Sequence, residues 1–188
     1  VKVRGKASHA GFAPQDGVHA IRIAAAAIAE MAIGRIGDDT TVNVGQIEGG
    51  RASNIVPDYC EVSGELRSFS HKKALEELAK VEQIFAKEAE KRGGSIEFIR
   101  DICYQAYKTD ENESVVKEFQ KACMACGIKS SLIATFGGSD QNKMSEHGIP
   151  GIVMASAMHQ VHSCQEYTEV SEMAQVAGIV SELLQMKE

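Results

Sequence analysis

The sequence predicts an α+β fold of the ferredoxin-like type, βαββαβ, over residues 1–105, followed by an α/β segment over residues 106–188. Three observations support this prediction. Segments in which apolar and polar residues alternate, as in strands, are interrupted twice before residue 105 by segments with helical spacing of apolar residues. Gly34 and Gly93-Gly94 stand where the two helical segments stop. After residue 105, helices alternate with short apolar segments, which is typical of a parallel sheet.

The first segment opens with an alternating strand at residues 1–6, so the N-terminus is expected to be cut inside an element. A helix is predicted over residues 17–33 with Asp16 as its N-cap, and a second helix runs from the cap Ser70 to about Arg92. The other three predicted strands cover residues 40–47, 54–68 and 95–104. This order gives an antiparallel sheet with both helices on one face, so the other face is solvated or meets another protein.

The second segment is predicted to contain helices at residues 113–126, 140–146 and 171–186 and apolar strands at residues 130–135 and 151–155. Two strands do not make a stable parallel sheet. We therefore expect this segment to need strands from another chain or from sequence outside residues 1–188.

Composition narrows the function. The net charge of −6 argues against a nucleic-acid partner, and no apolar run reaches the roughly 20 residues that a membrane span needs. Five cysteines without framework spacing favour a reducing cytoplasm. Cys123 and Cys126 form a CxxC without the second pair that a zinc or redox site would need.

Histidines in loops are the candidates for chemistry. His159 and His162 follow an apolar segment and compete for the role of a zinc ligand, which requires a neutral imidazole held at a rigid position. His9 lies among small residues in Ser8-His9-Ala10-Gly11, where spacing alone does not separate an active-site residue from a plain loop residue. The glycine pair at 137–138 is by default a simple turn.

Several spaced motifs together resemble one family. The runs GKASHAGFAPQDGVHAI at 5–21, TVNVGQIEGGRASNIVPD at 41–58 and ELRS at 65–68 resemble the lid, or dimerisation, domain of the M20 metallopeptidases. FGGSD, HGIP and VHSCQEY, in this order, resemble the end of the catalytic domain of that family. The spacing of GGSD to HGIP and HSxxEY resembles the peptidase T-like (tripeptidase) branch.

The resemblance implies a role for particular residues. His162 matches a ligand of one of two zinc ions, and His9 matches a lid histidine that reaches the active site of the other subunit of a dimer and polarises the scissile carbonyl. Residues that match substrate contacts are Asn54 and Arg67 on the lid, with Arg67 at the substrate carboxylate, and Gly137, Gly138, Ser139 and Asp140 in the pocket loop.

The implied enzyme is a homodimeric dizinc aminopeptidase that acts on short peptides. The alternatives are an M20 deacylase or carboxypeptidase of N-acyl amino acids, or a purely structural dimerisation module. The family's H-x-D motif and the Glu-Glu pair that follows it have no suitable counterpart in residues 1–188, so we expect these residues to lack the part of the family's chain that precedes the lid. The resemblance therefore implies a chain that is inactive by itself.

Overall fold

The structure is a computed structural model that describes residues 1–185. The predicted end of the last helix at Met186 lies outside the described residues. The chain divides into two units, Val1–Ala106 and the residues from Tyr107 onward.

The first unit contains seven strands and two α-helices. In chain order they are β1 (Lys2–Arg4), β2 (Ser8–His9), a 3-10 turn (Pro14–Asp16), α1 (Ala20–Glu30), β3 (Gly34–Ile36), β4 (Thr40–Gly49), β5 (Ile55–Val56), β6 (Tyr59–Ser68), α2 (His71–Lys91) and β7 (Ser95–Glu97).

Five of these strands form one antiparallel sheet in the order β3-β4-β6-β1-β7. Without the short edge strand β3, this is the strand order of a ferredoxin-like βαββαβ sandwich, so the predicted fold is confirmed. Val3, Cys60 and Val62 from the sheet are buried in one apolar core with Ile23 of α1 and Phe85 of α2. Both helices therefore cover the same face of the sheet.

The other face of the sheet is polar. Lys2 and Arg4 alternate with buried Val3, and both lie within ion-pair distance of Glu97, at 3.9 and 3.5 Å. On β6 the Tyr59 hydroxyl donates to the Glu61 carboxylate at 2.5 Å. Because side chains alternate between the faces of a strand, these charges mark the face away from the helices as solvated.

The beginning of α1 differs from the prediction. Asp16 does not cap it but lies in the 3-10 turn, and His19 is the N-cap, with Nδ1 accepting from the Arg22 N–H at 3.2 Å. The physical reason is a backbone bridge in which Lys6 and Val18 exchange hydrogen bonds of 2.9 and 2.8 Å, which holds Val18 extended.

Two predicted strands are shorter than expected. The strand predicted over residues 54–68 is interrupted at Pro57, and its first part, β5, pairs with β2 in a separate two-stranded sheet. Proline has no N–H to donate to a ladder. β7 ends at Glu97, which lies opposite Lys2, so residues after 98 have no residue of β1 to pair with.

The second unit contains α3 (Ser114–Ala125), α4 (Asp140–Glu146) and α5 (Val170–Gln185), with α3 and α5 packed through Ala122, Cys123 and Ile179. The strands predicted at 130–135 and 151–155 are not formed within residues 1–185, because neither segment has a ladder partner there. Three of their apolar side chains are exposed, Leu132 by 41%, Ile133 by 82% and Val153 by 57%, whereas Met154 packs against the core of α3 and α5. No helix in the described part of the chain is long and apolar enough to cross a membrane.

Candidate active site

The imidazole of His9 is held in one orientation by its own loop. Its Nδ1 accepts hydrogen bonds from the N–H groups of Gly11 and Phe12, at 3.1 and 3.2 Å, and the ring stacks on Phe12 with centroids 4.3 Å apart. A neutral imidazole carries its proton on the nitrogen that does not accept. The neutral form of His9 therefore presents an Nε2–H donor, on a residue that is exposed to solvent.

The two-stranded sheet brings Asn54 beside His9. His9 is paired with Ile55 in the β2–β5 ladder, and the next residue, Ala10, donates its N–H to the carbonyl of Asn54 at 2.9 Å. Asn54 lies in an exposed turn just before β5. The structure thus brings these two predicted site residues together, because the ladder joins their backbones directly although they lie far apart in the sequence.

Arg67 lies at the opposite end of the unit. It is paired with Thr41 near the end of β6, eight residues after Tyr59, which corresponds to roughly 26 Å of strand. The ladder of β1 with β6 continues past Tyr59 into the pairing of β2 with β5, so His9 and Asn54 lie beyond the other end of this strand. One copy of the unit therefore does not bring Arg67 together with His9.

The guanidinium of Arg67 has a partner on its own strand. Its Nε and Nη2 donate to the two carboxylate oxygens of Glu65 at 3.0 and 2.8 Å. The hydrogen bonds to Glu65 are the main cause that raises the pKa of Arg67. The fork geometry that matches a carboxylate is thus present, and Glu65 occupies it.

The predicted pocket loop belongs to the second unit and precedes α4. Gly137 donates its N–H to the Thr135 hydroxyl at 3.0 Å, and Ser139 donates its N–H to the Asn142 side chain at 3.1 Å. Ser139 is the N-cap of α4, and Asp140 is its first residue. Gly137, Gly138 and Asp140 are exposed.

His162 has an unusual backbone conformation. Its φ is +64°, in the left-handed region that residues other than glycine seldom adopt. Its N–H donates to Glu166 Oε2 at 2.8 Å, and its imidazole makes no hydrogen bond within residues 1–185. Such strain is concentrated at functional sites, so it supports His162 as a candidate for chemistry.

The side chain of His159, unlike that of His162, makes contacts that the sequence did not predict. Its Nε2 lies 2.6 Å from Glu172 Oε2, and its ring stacks on Tyr167 with centroids 4.7 Å apart. Glu172 is in the first turn of α5, thirteen positions along the chain. The available signal in the sequence was an acidic residue in the first turn of a helix, and this signal does not identify the residue that Glu172 contacts.

The described residues do not complete a metal site. No group of three or more His, Cys, Asp or Glu residues in this part of the chain is arranged to hold a metal ion. Cys123 of the CxxC is buried, which raises the pKa of its thiol, and this favours a packing role. Of the predicted ligands, this chain offers His162 alone.

The first unit is thus a βαββαβ sandwich that presents the ring of His9 in one orientation, and the second unit carries the strained loop of His162. A sequence profile described as the peptidase dimerisation domain of the M20 type matches residues 1–93. Residues 1–93 therefore belong to the M20 family of peptidase dimerisation domains.

Relatives in sequence and structure agree with this assignment. The uncharacterized protein YqjE of Bacillus subtilis is 35% identical over 181 residues, which cover 96% of this chain and 49% of that protein. The crystal structure of aminopeptidase PepT from Bacillus cereus superposes with a TM-score of 0.84 at 37% identity, over 98% of this chain and 49% of that one. A tripeptidase from Staphylococcus aureus gives 0.90 at 31% identity, with the same coverage. The chain thus spans about half the length of these relatives.

Proposed function

We propose that this chain supplies the lid and the C-terminal part of the catalytic domain of an M20 aminopeptidase that releases N-terminal residues from short peptides. The observation that carries the proposal is the fixed His9 ring, whose Nε2–H donor is exposed beside Asn54. The similarity to an aminopeptidase and a tripeptidase at 37% and 31% identity supports a peptide substrate.

His9 acts as a hydrogen-bond donor to the carbonyl oxygen of the scissile bond. Its Nδ1 is held by two backbone N–H groups, so the donor is oriented before the substrate arrives. A preorganised donor of this kind stabilises the negative charge that develops in the transition state by about 3–4 kcal/mol.

The lid of one subunit serves two active sites. His9 and Asn54 lie beyond one end of β6 and Arg67 lies near the other, which separates them by roughly 26 Å or more. A short peptide does not span that distance, so His9 and Arg67 act on different substrate molecules. This arrangement supports a homodimer in which His9 reaches the active site of the other subunit.

The whole enzyme, meaning the polypeptide that carries this chain together with its metal-binding segment, is proposed to hold two zinc ions. This chain contributes one ligand, His162, and the remaining ligands come from outside residues 1–188. The exposed apolar side chains of Leu132, Ile133 and Val153 in the segments 130–135 and 151–155 support this, because such segments suit a sheet that further strands complete.

The first experiment tests His9 in the whole enzyme. His9→Ala is expected to lower kcat about 10²–10³-fold on a tripeptide, because one preorganised donor is lost. His147→Ala, which removes another exposed histidine without a site role, is the matched control and keeps full activity. Unaltered turnover of His9→Ala would leave only a structural dimerisation role for the lid.

A mixing experiment tests whether His9 acts across the dimer. Inactive His9→Ala and His162→Ala enzymes are unfolded together and refolded as mixed dimers. If His9 acts in trans, each mixed dimer regains one working site, and the mixture recovers about a quarter of the wild-type activity. If His9 acts within its own subunit, the mixture stays inactive.

Substrate class and metal content complete the test. The whole enzyme is expected to hydrolyse tripeptides and to leave N-acyl amino acids intact, and the reverse preference would establish the deacylase or carboxypeptidase alternative. The isolated 188-residue chain is expected to hydrolyse neither. Metal analysis that finds two tightly bound zinc ions in this chain would contradict the assignment of the other ligands to a separate segment.

A further inference from the structure

The residues from His159 to Tyr167 form a closed loop that carries His162. The N–H of His159 donates to the Tyr167 carbonyl at 2.9 Å, and the Tyr167 N–H donates back to the His159 carbonyl at 3.2 Å. The two rings at this base stack at an interplanar angle of 16°. The base is therefore closed by both the backbone and the side chains.

Hydrogen bonds hold the interior of the loop, although two of its residues have a strained backbone conformation. The Gln160 carbonyl accepts from the N–H and the hydroxyl of Ser163, at 3.2 and 2.7 Å, and Glu166 accepts from the His162 N–H at 2.8 Å. Gln160 and His162 both have left-handed φ values, +51° and +64°. Each such residue costs about 1–2 kcal/mol, so the surrounding contacts must hold the loop in this conformation.

Glu172 ties the base of the loop to a helix. The bond between His159 Nε2 and Glu172 Oε2, 2.6 Å long, reaches from the loop into the first turn of α5. Tyr167 stacks against the ring of His159, with ring centroids 4.7 Å apart. Because Nε2 of His159 is bonded to a carboxylate, His159 is placed to support the loop. The imidazole of His162 has no hydrogen-bond partner in the described chain.

We propose that His159 is a positioning residue: with Glu172 and Tyr167 it fixes the loop that presents the imidazole of His162. The role of His162 as a metal ligand rests on the proposed function, whereas the effect of His159 on the loop does not. A contact of this kind orients a ligand without touching the reacting atoms.

The first test measures the loop in the full 188-residue chain. His159→Phe keeps an aromatic ring against Tyr167 but removes the bond to Glu172, and Glu172→Ala removes the same bond from the other side. Both are expected to speed amide hydrogen exchange of His162 about tenfold and to shift its ring resonances. Glu172→Gln, which keeps a hydrogen-bond acceptor, restores the wild-type values.

Glu169→Ala is the matched control, since it removes a neighbouring carboxylate that does not contact His159. Unchanged exchange at His162 in both His159→Phe and Glu172→Ala would overturn the proposal. If His159→Phe does not fold, Glu172→Ala carries the test alone, because it alters a half-exposed side chain.

The second test uses the whole enzyme and separates the two proposals. His159→Phe and Glu172→Ala are expected to lower kcat/KM about 10–100-fold, the usual effect of losing the partner that orients a ligand, and Glu172→Gln is expected to recover most of it. Altered exchange in an enzyme that cleaves no peptide would contradict the proposed function and leave the positioning role standing. Altered exchange with unchanged kcat/KM would overturn the positioning role in catalysis.

Discussion

Arg67, which we propose binds the substrate carboxylate, is hydrogen-bonded to the carboxylate of Glu65. Its bidentate bonds to Glu65 compete with any substrate carboxylate for the same donors. The pair is exposed, and pairs of this kind contribute about 0–1 kcal/mol. Under the proposed role of Arg67, Glu65 is therefore expected to weaken substrate binding by a small and measurable amount.

Glu65→Gln in the whole enzyme is expected to lower KM for a tripeptide by up to about fivefold with kcat unchanged, because about 1 kcal/mol of competition is removed. Glu61→Gln is the control, since Glu61 lies on the same strand and accepts from Tyr59. Steady-state kinetics give the comparison. An unchanged KM would contradict the assignment of Arg67 to the substrate carboxylate.

The ion pair of Asp39 makes the stability of the first unit depend on pH. Lys73 Nζ lies 2.5 Å from its carboxylate and lowers the pKa of Asp39 from its ordinary value of 3.8. The unfolded chain therefore binds this proton at higher pH than the folded chain does. The contribution is present above about pH 3.8 and is lost as the pH falls through the lowered pKa.

Asp39→Asn is accordingly expected to lower the urea midpoint at pH 7 and to converge with wild type below the pKa of Asp39. Asp38→Asn is the control, because Asp38 acts on Lys73 only through its charge and not through a hydrogen bond, and it is expected to have a smaller effect than Asp39→Asn at each pH. Urea unfolding at a series of pH values measures both. A constant difference between Asp39→Asn and wild type at all pH values would rule out the linkage.

At the scale of elements, a close approach of two backbones positions the loop of His9. A Cβ on Gly5 would lie 2.0 Å from the Val18 carbonyl oxygen, at the bridge that joins the end of β1 to the approach of α1. Only glycine fits there. This contact delays the start of α1 until Ala20 and leaves the segment before it free to form the His9 loop.

Gly5→Ala is expected to destabilise the first unit by about 1–3 kcal/mol, because the backbone at Val18 must move. Gly45→Ala is the matched control, since the nearest atoms to its Cβ would be 3.8 and 3.9 Å away. Chemical unfolding of both variants provides the measurement. Equal stability of Gly5→Ala and Gly45→Ala would show that the bridge gives way without cost.

At the scale of the whole molecule, the chain consists of two units joined by a segment without regular secondary structure. Residues 98–110 contain no helix or strand, and Lys108 in this segment is exposed, whereas Arg100 is bonded to Glu82. Exposed chain without regular structure is where proteases cut first. The first unit also has its own core, which the segment does not enter.

Limited trypsin treatment of the chain is therefore expected to cut after Lys108 and to leave a stable product of residues 1–108. Intact-mass analysis identifies the product, and circular dichroism shows whether it stays folded. Cleavage within residues 1–97 at a comparable rate would mean that the first unit does not hold its structure alone.

Local patterns in the sequence were sufficient to predict the ferredoxin-like order of elements, the cap of α2 at Ser70, its stop at Gly93, and the helices of the second unit, because alternation, helical spacing and capping are local signals. It also pointed to His9 and His162 through short motifs. These features depend on neighbours within a few positions in the chain.

Features that depend on distant partners became visible in the three-dimensional structure alone. The bridge at Val18 moved the start of α1, the ladder with β1 ended β7 at Glu97, and the segments 130–135 and 151–155 formed no strands without a ladder. The bond between His159 and Glu172 and the separation of His9 from Arg67 were equally invisible in the sequence. Hydrogen bonds across the fold set these features, and a linear pattern does not specify the partner.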